Sequence, residues 1–287
     1  MTSNLRWQVK KLARKSVALG SCVTGYVPVS GMRHGNPHVR VLTYHRFGPV
    51  GRDPFCVAPK DFEAQMAFLA EHRLAISLME FEEFITGKIT LRPGAVLVTI
   101  DDGFRSVYTR ALPILKYYAV PAVAFITSSL IHPRRANFPT TAEPEDYLTG
   151  DELALLVEAG VAVGSHAWTH RSLGRMSEVE VEEQAIRSRQ DLRQHLGRDV
   201  TAFAYPFGTR ADFNDKTAAI LGRAGYRCAF TSQHGAIRPG MDAFCLPRVK
   251  VEGGDALWLF ELLVRGGMDN WRWIDRALWQ LQASERG

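Results

Sequence analysis

Two adjacent carboxylates, Asp101 and Asp102, end an apolar run, Ala95-Val96-Leu97-Val98-Thr99-Ile100, and are followed by Gly103. Alone, Asp-Asp-Gly reads as a turn. At the carboxyl end of a strand in a parallel α/β sheet it stands where reactive side chains converge. Neighbouring carboxylates repel unless a cation or a proton is shared between them. One Asp can then coordinate a metal while the other holds or accepts a proton.

A second group, Gly164-Ser165-His166-Ala167-Trp168-Thr169-His170, follows another strand-like run and carries two imidazoles four residues apart. A turn into a helix or tight loop would aim both rings to one side. With Asp102 they make a two-His, one-carboxylate set, which leaves positions open for water and substrate on zinc or another divalent ion. Phe203-Ala204-Tyr205-Pro206-Phe207-Gly208 again ends a strand, and its Pro and Gly set a sharp bend that can present backbone N–H groups. Thr43-Tyr44-His45 places a histidine at the end of the first strand. The chain has no G-x-x-x-x-G-K-[ST], no G-x-G-x-x-G after a strand, no G-x-S-x-G and no H-E-x-x-H, so phosphate-cradling and serine-hydrolase chemistry lose support.

The elements that must hold these groups read as alternating short strands and amphipathic helices, the pattern of a largely parallel sheet with helical crossovers. Strands are expected over 39–45, 95–102, 121–127, 161–165, 200–205 and 226–232. Helices are expected over 59–72, 106–119 with a kink at Pro113, 152–159, 177–196 and 215–224. The stretch 131–149, rich in proline and without periodicity, reads as a loop over the mouth of the site. Residues 255–283 read as two helices that carry four of the six tryptophans and pack on the barrel, with a membrane or partner contact as the alternative.

The chain has 287 residues, 46% of them hydrophobic, which excludes a disordered or collagenous chain. Its formal charge of +5 is local: Arg6, Lys10, Lys11, Arg14 and Lys15 account for it, and the remainder balances, so the footprint of a nucleic-acid-binding domain is missing. That basic start reads as a solvated leader or as a helix able to lie on an anionic membrane. The polar run Ser16 to Met32 lacks the compact apolar stretch of a signal sequence. Cys22, Cys56, Cys228 and Cys245 show neither C-x-x-C nor zinc-finger spacing and read as buried free thiols, with a Cys228–Cys245 bridge left open.

Thr-Ile-Asp-Asp-Gly, Ser-His-Ala-Trp-Thr-His and Ala-Tyr-Pro-Phe-Gly, in that order, resemble the motifs of the polysaccharide deacetylase family of metal-dependent carbohydrate esterases. Leu42-Thr43-Tyr44-His45 and the Ala-Tyr-Pro-Phe-Gly form resemble most the poly-N-acetylglucosamine branch. The resemblance implies a distorted, incomplete (β/α) barrel over 39–251, preceded by the basic leader 1–38 and followed by a helical extension 252–287. It implies removal of N-acetyl groups from an N-acetylated glycan, with hydrolysis of another non-peptide amide or non-catalytic glycan binding as alternatives. By resemblance Asp101 is the general base and His45 the general acid. Asp102, His166 and His170 hold a divalent metal, zinc first, with cobalt, nickel or manganese as alternatives. Tyr205 and Phe207 belong to the substrate and oxyanion side, with the Phe207 backbone N–H on the oxyanion. The chain departs from many relatives in carrying Ala204 where an Arg orients the base, Ala167 where Ser or Thr follows the first metal His, and no late Leu-x-His; Arg248 is the candidate substitute for the orienting Arg. The expected location is the cytoplasm or the inner-membrane surface rather than a secreted or periplasmic one.

Overall fold

The computed structural model describes residues 12–21, 38–49, 53–132 and 146–277. In chain order the strands are β1 (Arg40–Tyr44), β2 (Arg46–Phe47), β3 (Cys56–Val57), β4 (Val96–Ile100), β5 (Ala122–Ile126), β6 (Ala162–Ser165), β7 (Ala202–Ala204), β8 (Cys228–Phe230) and β9 (Val249–Lys250). The α-helices are α1 (residues 12–21), α2 (Pro59–Glu71), α3 (Leu78–Ile85), α4 (Leu112–Tyr117), α5 (Gly150–Glu158), α6 (Glu178–Leu196), α7 (Asp215–Arg223), α8 (Leu257–Arg265) and α9 (residues 272–277). Seven strands form one parallel sheet in the order β8-β7-β6-β5-β4-β1-β9, while β2 and β3 pair separately.

This is the parallel sheet with helical crossovers expected from the alternation, curled into the distorted (β/α) barrel that the resemblance implies, and one segment brings its two edges together. Leu246 bridges to Phe230 of β8, and three residues later Val249 and Lys250 pair with Leu42 and Thr43 of β1. The period of two along each strand sorts side chains into two cores. Val41, Leu97, Val123, Phe125, Ala202, Ala204 and Phe230 fill the interior. Leu42, Val98, Ile100, Ala124 and Ile126 face outward and pack with Phe62, Met66, Leu115, Leu153 and Leu156 of the helices. Phe81 and Phe84 of α3 join the inner cluster beside Phe230 and stopper one end of the barrel. Because Ile76 just before α3 donates to Val96 at the start of β4, the stoppered end is the amino-terminal one. The carboxyl ends of the strands stay open.

Two expectations change in detail. The kink at Pro113 is a π-helical turn, Val107–Ala111, running into α4, because the proline has no N–H to give the preceding turn and the wider register absorbs the loss. Cys56, Cys228 and Cys245 are free, so Cys228 and Cys245 are not bridged, and Cys245 is exposed rather than buried.

The described part of the basic leader is not a solvated tail. In α1 the buried positions Arg14, Ala18 and Ser21 fall on one face. Arg14 meets Glu252 at 2.7 Å and Asp255 at 3.1 Å and donates to the Lys250 carbonyl; Ser21 donates to the Gly267 carbonyl. One of the five cations that looked like surface charge is therefore an interior ion-pair partner. At the other end α8 buries Leu259, Phe260, Leu263 and Val264, as packing on the barrel requires, whereas Trp258 and Trp273 stay exposed.

Candidate active site

The alternation along β4 points Leu97, Thr99 and Asp101 inward, which would send Asp102 outward. Asp102 instead adopts φ of 75°, a left-handed conformation that turns it back toward the open end. Of the six non-glycine residues with positive φ among the described residues, four belong to the motifs: Asp102, Ala167, His170 and Phe207. Such conformations cost of order 1–3 kcal/mol each and persist where surrounding structure enforces them, commonly at functional sites.

Those turns gather the histidines around Asp102. Its Oδ1 lies 3.3 Å from Nε2 of His166 and 3.1 Å from Nε2 of His170. The three ligand atoms fall within 4.8 Å of one another. His166 Nδ1 sits 2.8 Å from the carbonyl oxygen of Ala204, so Nδ1 carries the proton it donates and Nε2 is left to face Asp102. One carboxylate oxygen and two imidazole nitrogens with open positions suit zinc or a related divalent ion. Burial raises the pKa of Asp102, yet hydrogen bonds from His166 and His170 outweigh it and hold the group well below the carboxylate range. Burial lowers that of His166, and the bond to Asp102 with the charge of Asp101 raises it overall.

Asp101 is held differently. Its two oxygens accept from Nη1 and Nη2 of Arg248 at 2.8 and 2.7 Å, a bidentate buried pair. Arg248 Nε donates to the Thr231 carbonyl, and Nη1 also reaches Thr99 Oγ1, whose own hydroxyl donates to the Leu42 carbonyl. Burial pushes Asp101 upward, and the charges of Arg248 and His166 more than reverse it, so the carboxylate is ionised and fixed. Arg248 thus stands against Asp101, where it can hold the carboxylate in place. It arrives on the closing segment, between the bridge to β8 and the pairing with β1.

These groups open into a cavity of about 240 Å³ that His45, Phe55, Phe104, Phe207 and Lys250 also line. The His45 ring packs edge-on to Phe55, and its buried Nδ1 has no hydrogen-bond partner. Burial, helped by Lys250 and Arg248 and opposed by Asp102 and Asp101, lowers its pKa to about 4, so His45 is neutral near pH 7. Phe207 caps the other side, its ring edge-on to His170 at 4.9 Å. Gly208 N donates to the Pro206 carbonyl at 2.7 Å around Phe207, whose φ of 63° makes this the rarer, strained form of γ-turn.

Tyr205 lines the same cavity, while its ring packs in the outer core beside Phe203 and Phe213 with its hydroxyl on the Phe244 carbonyl, and its N–H donates to the Phe230 carbonyl. The period of two explains it: His166 bonds the carbonyl of Ala204, an inward residue, so the next side chain points outward. The loop expected over the mouth lies largely outside the described residues, at 133–145. Its described end places Tyr147 in a stack with Phe104 at the cavity wall. Thr99 and Lys250 were missed; each stands two residues from a singled-out side chain, Asp101 and Arg248, and so on the same face of its strand.

The model of the polysaccharide deacetylase family matches residues 88–229. The chain carries a polysaccharide deacetylase domain. The matched span runs from before β4 through β8 and contains Asp101, Asp102, His166 and His170, whereas His45 and Arg248 come to the site from outside it. Similar proteins are found by sequence and by fold. The poly-β-1,6-N-acetyl-D-glucosamine N-deacetylase of Staphylococcus aureus is 25% identical over 208 residues, 69% of this chain and 68% of that protein. IcaB from Ammonifex degensii superposes with a TM-score of 0.66 at 26% identity, covering 81% of this chain and 97% of that one. The Streptococcus pyogenes deacetylase PplD, solved with acetate, shares the fold with a TM-score of 0.69 at 20% identity, covering 80% and 98%.

Proposed function

We propose that this deacetylase domain is a metal-dependent N-deacetylase of an N-acetylated glycan, a polymer, oligosaccharide or glycan precursor, releasing acetate and a free amine. The observation that carries the reading is an ionised Asp101, clamped by Arg248, directly beside the Asp102–His166–His170 set. Asp102, His166 and His170 would hold the divalent ion. Bound there, it would polarise the acetamide carbonyl and acidify a water.

Asp101 accepts the proton of the attacking water, and the Arg248 fork keeps it ionised and aimed for that task. The main chain at the Phe207 turn supplies hydrogen-bond donation to the oxyanion. The leaving nitrogen needs a proton. His45 is neutral in the resting cavity, so it serves as donor only after gaining a proton, whereas Asp101 already holds the one taken from water. Phe55, Phe104 and Phe207 offer apolar faces to a sugar ring at the rim. The names of the staphylococcal and Ammonifex relatives favour a β-1,6-linked N-acetylglucosamine chain as the first substrate to try.

Acetate release from chitooligosaccharides and from β-1,6-linked N-acetylglucosamine oligomers, by protein of known metal content, tests the reading. Asp101→Asn is expected to abolish release with metal retained. Normal release by that variant overturns the assignment.

A further inference from the structure

A second cavity, of about 560 Å³, adjoins the first. The chain itself shows how close they are. Phe207 lines the catalytic cavity and Arg210 the second; Ser232 lines the catalytic cavity and Gln233 the second; Arg248 lines the catalytic cavity and Pro247 the second. At about 3.5 Å per extended residue, the two share walls one to three residues thick. A group bound in the second cavity would therefore lie close to an acetamide bound in the first.

The second cavity is basic. Arg210, Arg272 and Arg276 line it, and Asp215 is the one acidic residue in its described wall. Another acid nearby, Asp275, is buried and engaged: one of its oxygens accepts from the backbone N–H of His234 at 2.8 Å and lies 3.0 Å from that ring's Nδ1. None of the three arginines makes an ion pair with a described acidic residue. Elsewhere the protein does pair its arginines, at positions 14, 40, 46, 105, 189 and 248 among others. Arg272 and Arg276 stand one helical turn apart, both about 5 Å from the ring centre of Trp273, which is itself exposed.

Like charges around one concavity repel and raise the local potential for an anion. A carboxylate has two oxygens and is satisfied by a single guanidinium fork. A phosphoryl group offers more oxygens and more charge, and so can engage several forks at once. We propose that the second cavity is a subsite for a phosphoryl group carried by the same glycan whose acetamide enters the catalytic cavity. The proposal rests on the N-deacetylase reading for the identity of the substrate, and not for the binding of the anion.

The test compares two N-acetylglucosamine oligosaccharides of equal length, one with a terminal phosphate and one without, in the full-length metal-loaded protein. Inorganic pyrophosphate is titrated calorimetrically in parallel. The expected result is a preference of about tenfold in kcat/KM for the phosphorylated oligosaccharide, weakening with added salt. Arg272→Gln/Arg276→Gln and Arg210→Gln should erase that preference and weaken pyrophosphate binding, leaving turnover of the neutral oligosaccharide unchanged. These side chains are exposed, so the variants keep the fold. Equal turnover of the two oligosaccharides by the unmodified protein overturns the proposal with the deacetylase reading intact, even if free pyrophosphate binds. If neither oligosaccharide releases acetate, the deacetylase reading fails instead, and the subsite then stands or falls on whether the arginine variants lose pyrophosphate.

Discussion

Replacing Arg248 by Met removes both hydrogen bonds to Asp101 while keeping most of the side-chain volume. Arg248 is 3% exposed and Asp101 2%, so water does not replace the lost donors freely. Deleting one partner of a buried ion pair costs about 3–5 kcal/mol if the other stays charged. A carboxylate can avoid much of that by taking up a proton, and about 3 kcal/mol corresponds to a pKa rise of about 2 units. Asp101, now held below its ordinary value by Arg248 and His166 against the effect of burial, would move above it. With the base no longer held and aimed, acetate release at pH 7 should fall about a hundredfold. The measurement is kcat/KM against pH for both proteins at saturating metal. The acidic limb should shift upward by one to two pH units, with the loss above pH 7 remaining because the carboxylate is no longer aimed. An Arg248→Met enzyme with an unmoved acidic limb and native turnover refutes the role given to the pair.

Arg14→Met should leave Glu252 and Asp255 buried without their cation, costing about 3–5 kcal/mol and lowering Tm by about 6–20 °C in a thermal melt; a shift below about 2 °C would mean that α1 does not hold the strand β9. His45 has a pKa of about 4 in the folded protein against about 6.5 unfolded, so the unfolded chain takes the proton first as pH falls. Urea unfolding of metal-free protein should lose up to about 3 kcal/mol between pH 6.5 and 4, and His45→Gln should flatten that slope. Zinc at about a hundred times its Kd should add about 2.7 kcal/mol of stability, and His166→Ala should remove the gain in a melt with and without chelator.

The strands and their reactive ends were legible because each is a short β-branched or apolar run that stops at a polar residue, as at Ile100–Asp101 and Ser165–His166. Helix α3 was not, because Leu78 to Ile85 is short and lies in a run of mixed character, and its role as a stopper comes from where the barrel places it. Nor was β9: a two-residue strand has no periodicity, and Arg248 could be guessed only from the missing arginine at Ala204. The packing of the Tyr205 ring in the outer core follows from the period of two, one residue on from the inward Ala204. Arg14 misled for a simpler reason. A cluster of like charges with no local acid looks solvated, and its partners Glu252 and Asp255 are more than 230 residues away.

The same separation marks the base itself. Asp101 and its guanidinium are 147 residues apart in the chain, and that guanidinium sits on the segment that joins β8 to β1. During synthesis Asp102, His166 and His170 have all emerged well before Arg248, so Asp101 stays unclamped until the last part of the barrel has been made and has closed. If catalysis needs the Arg248 clamp, acetate release in a refolding experiment would time the closure of the ring.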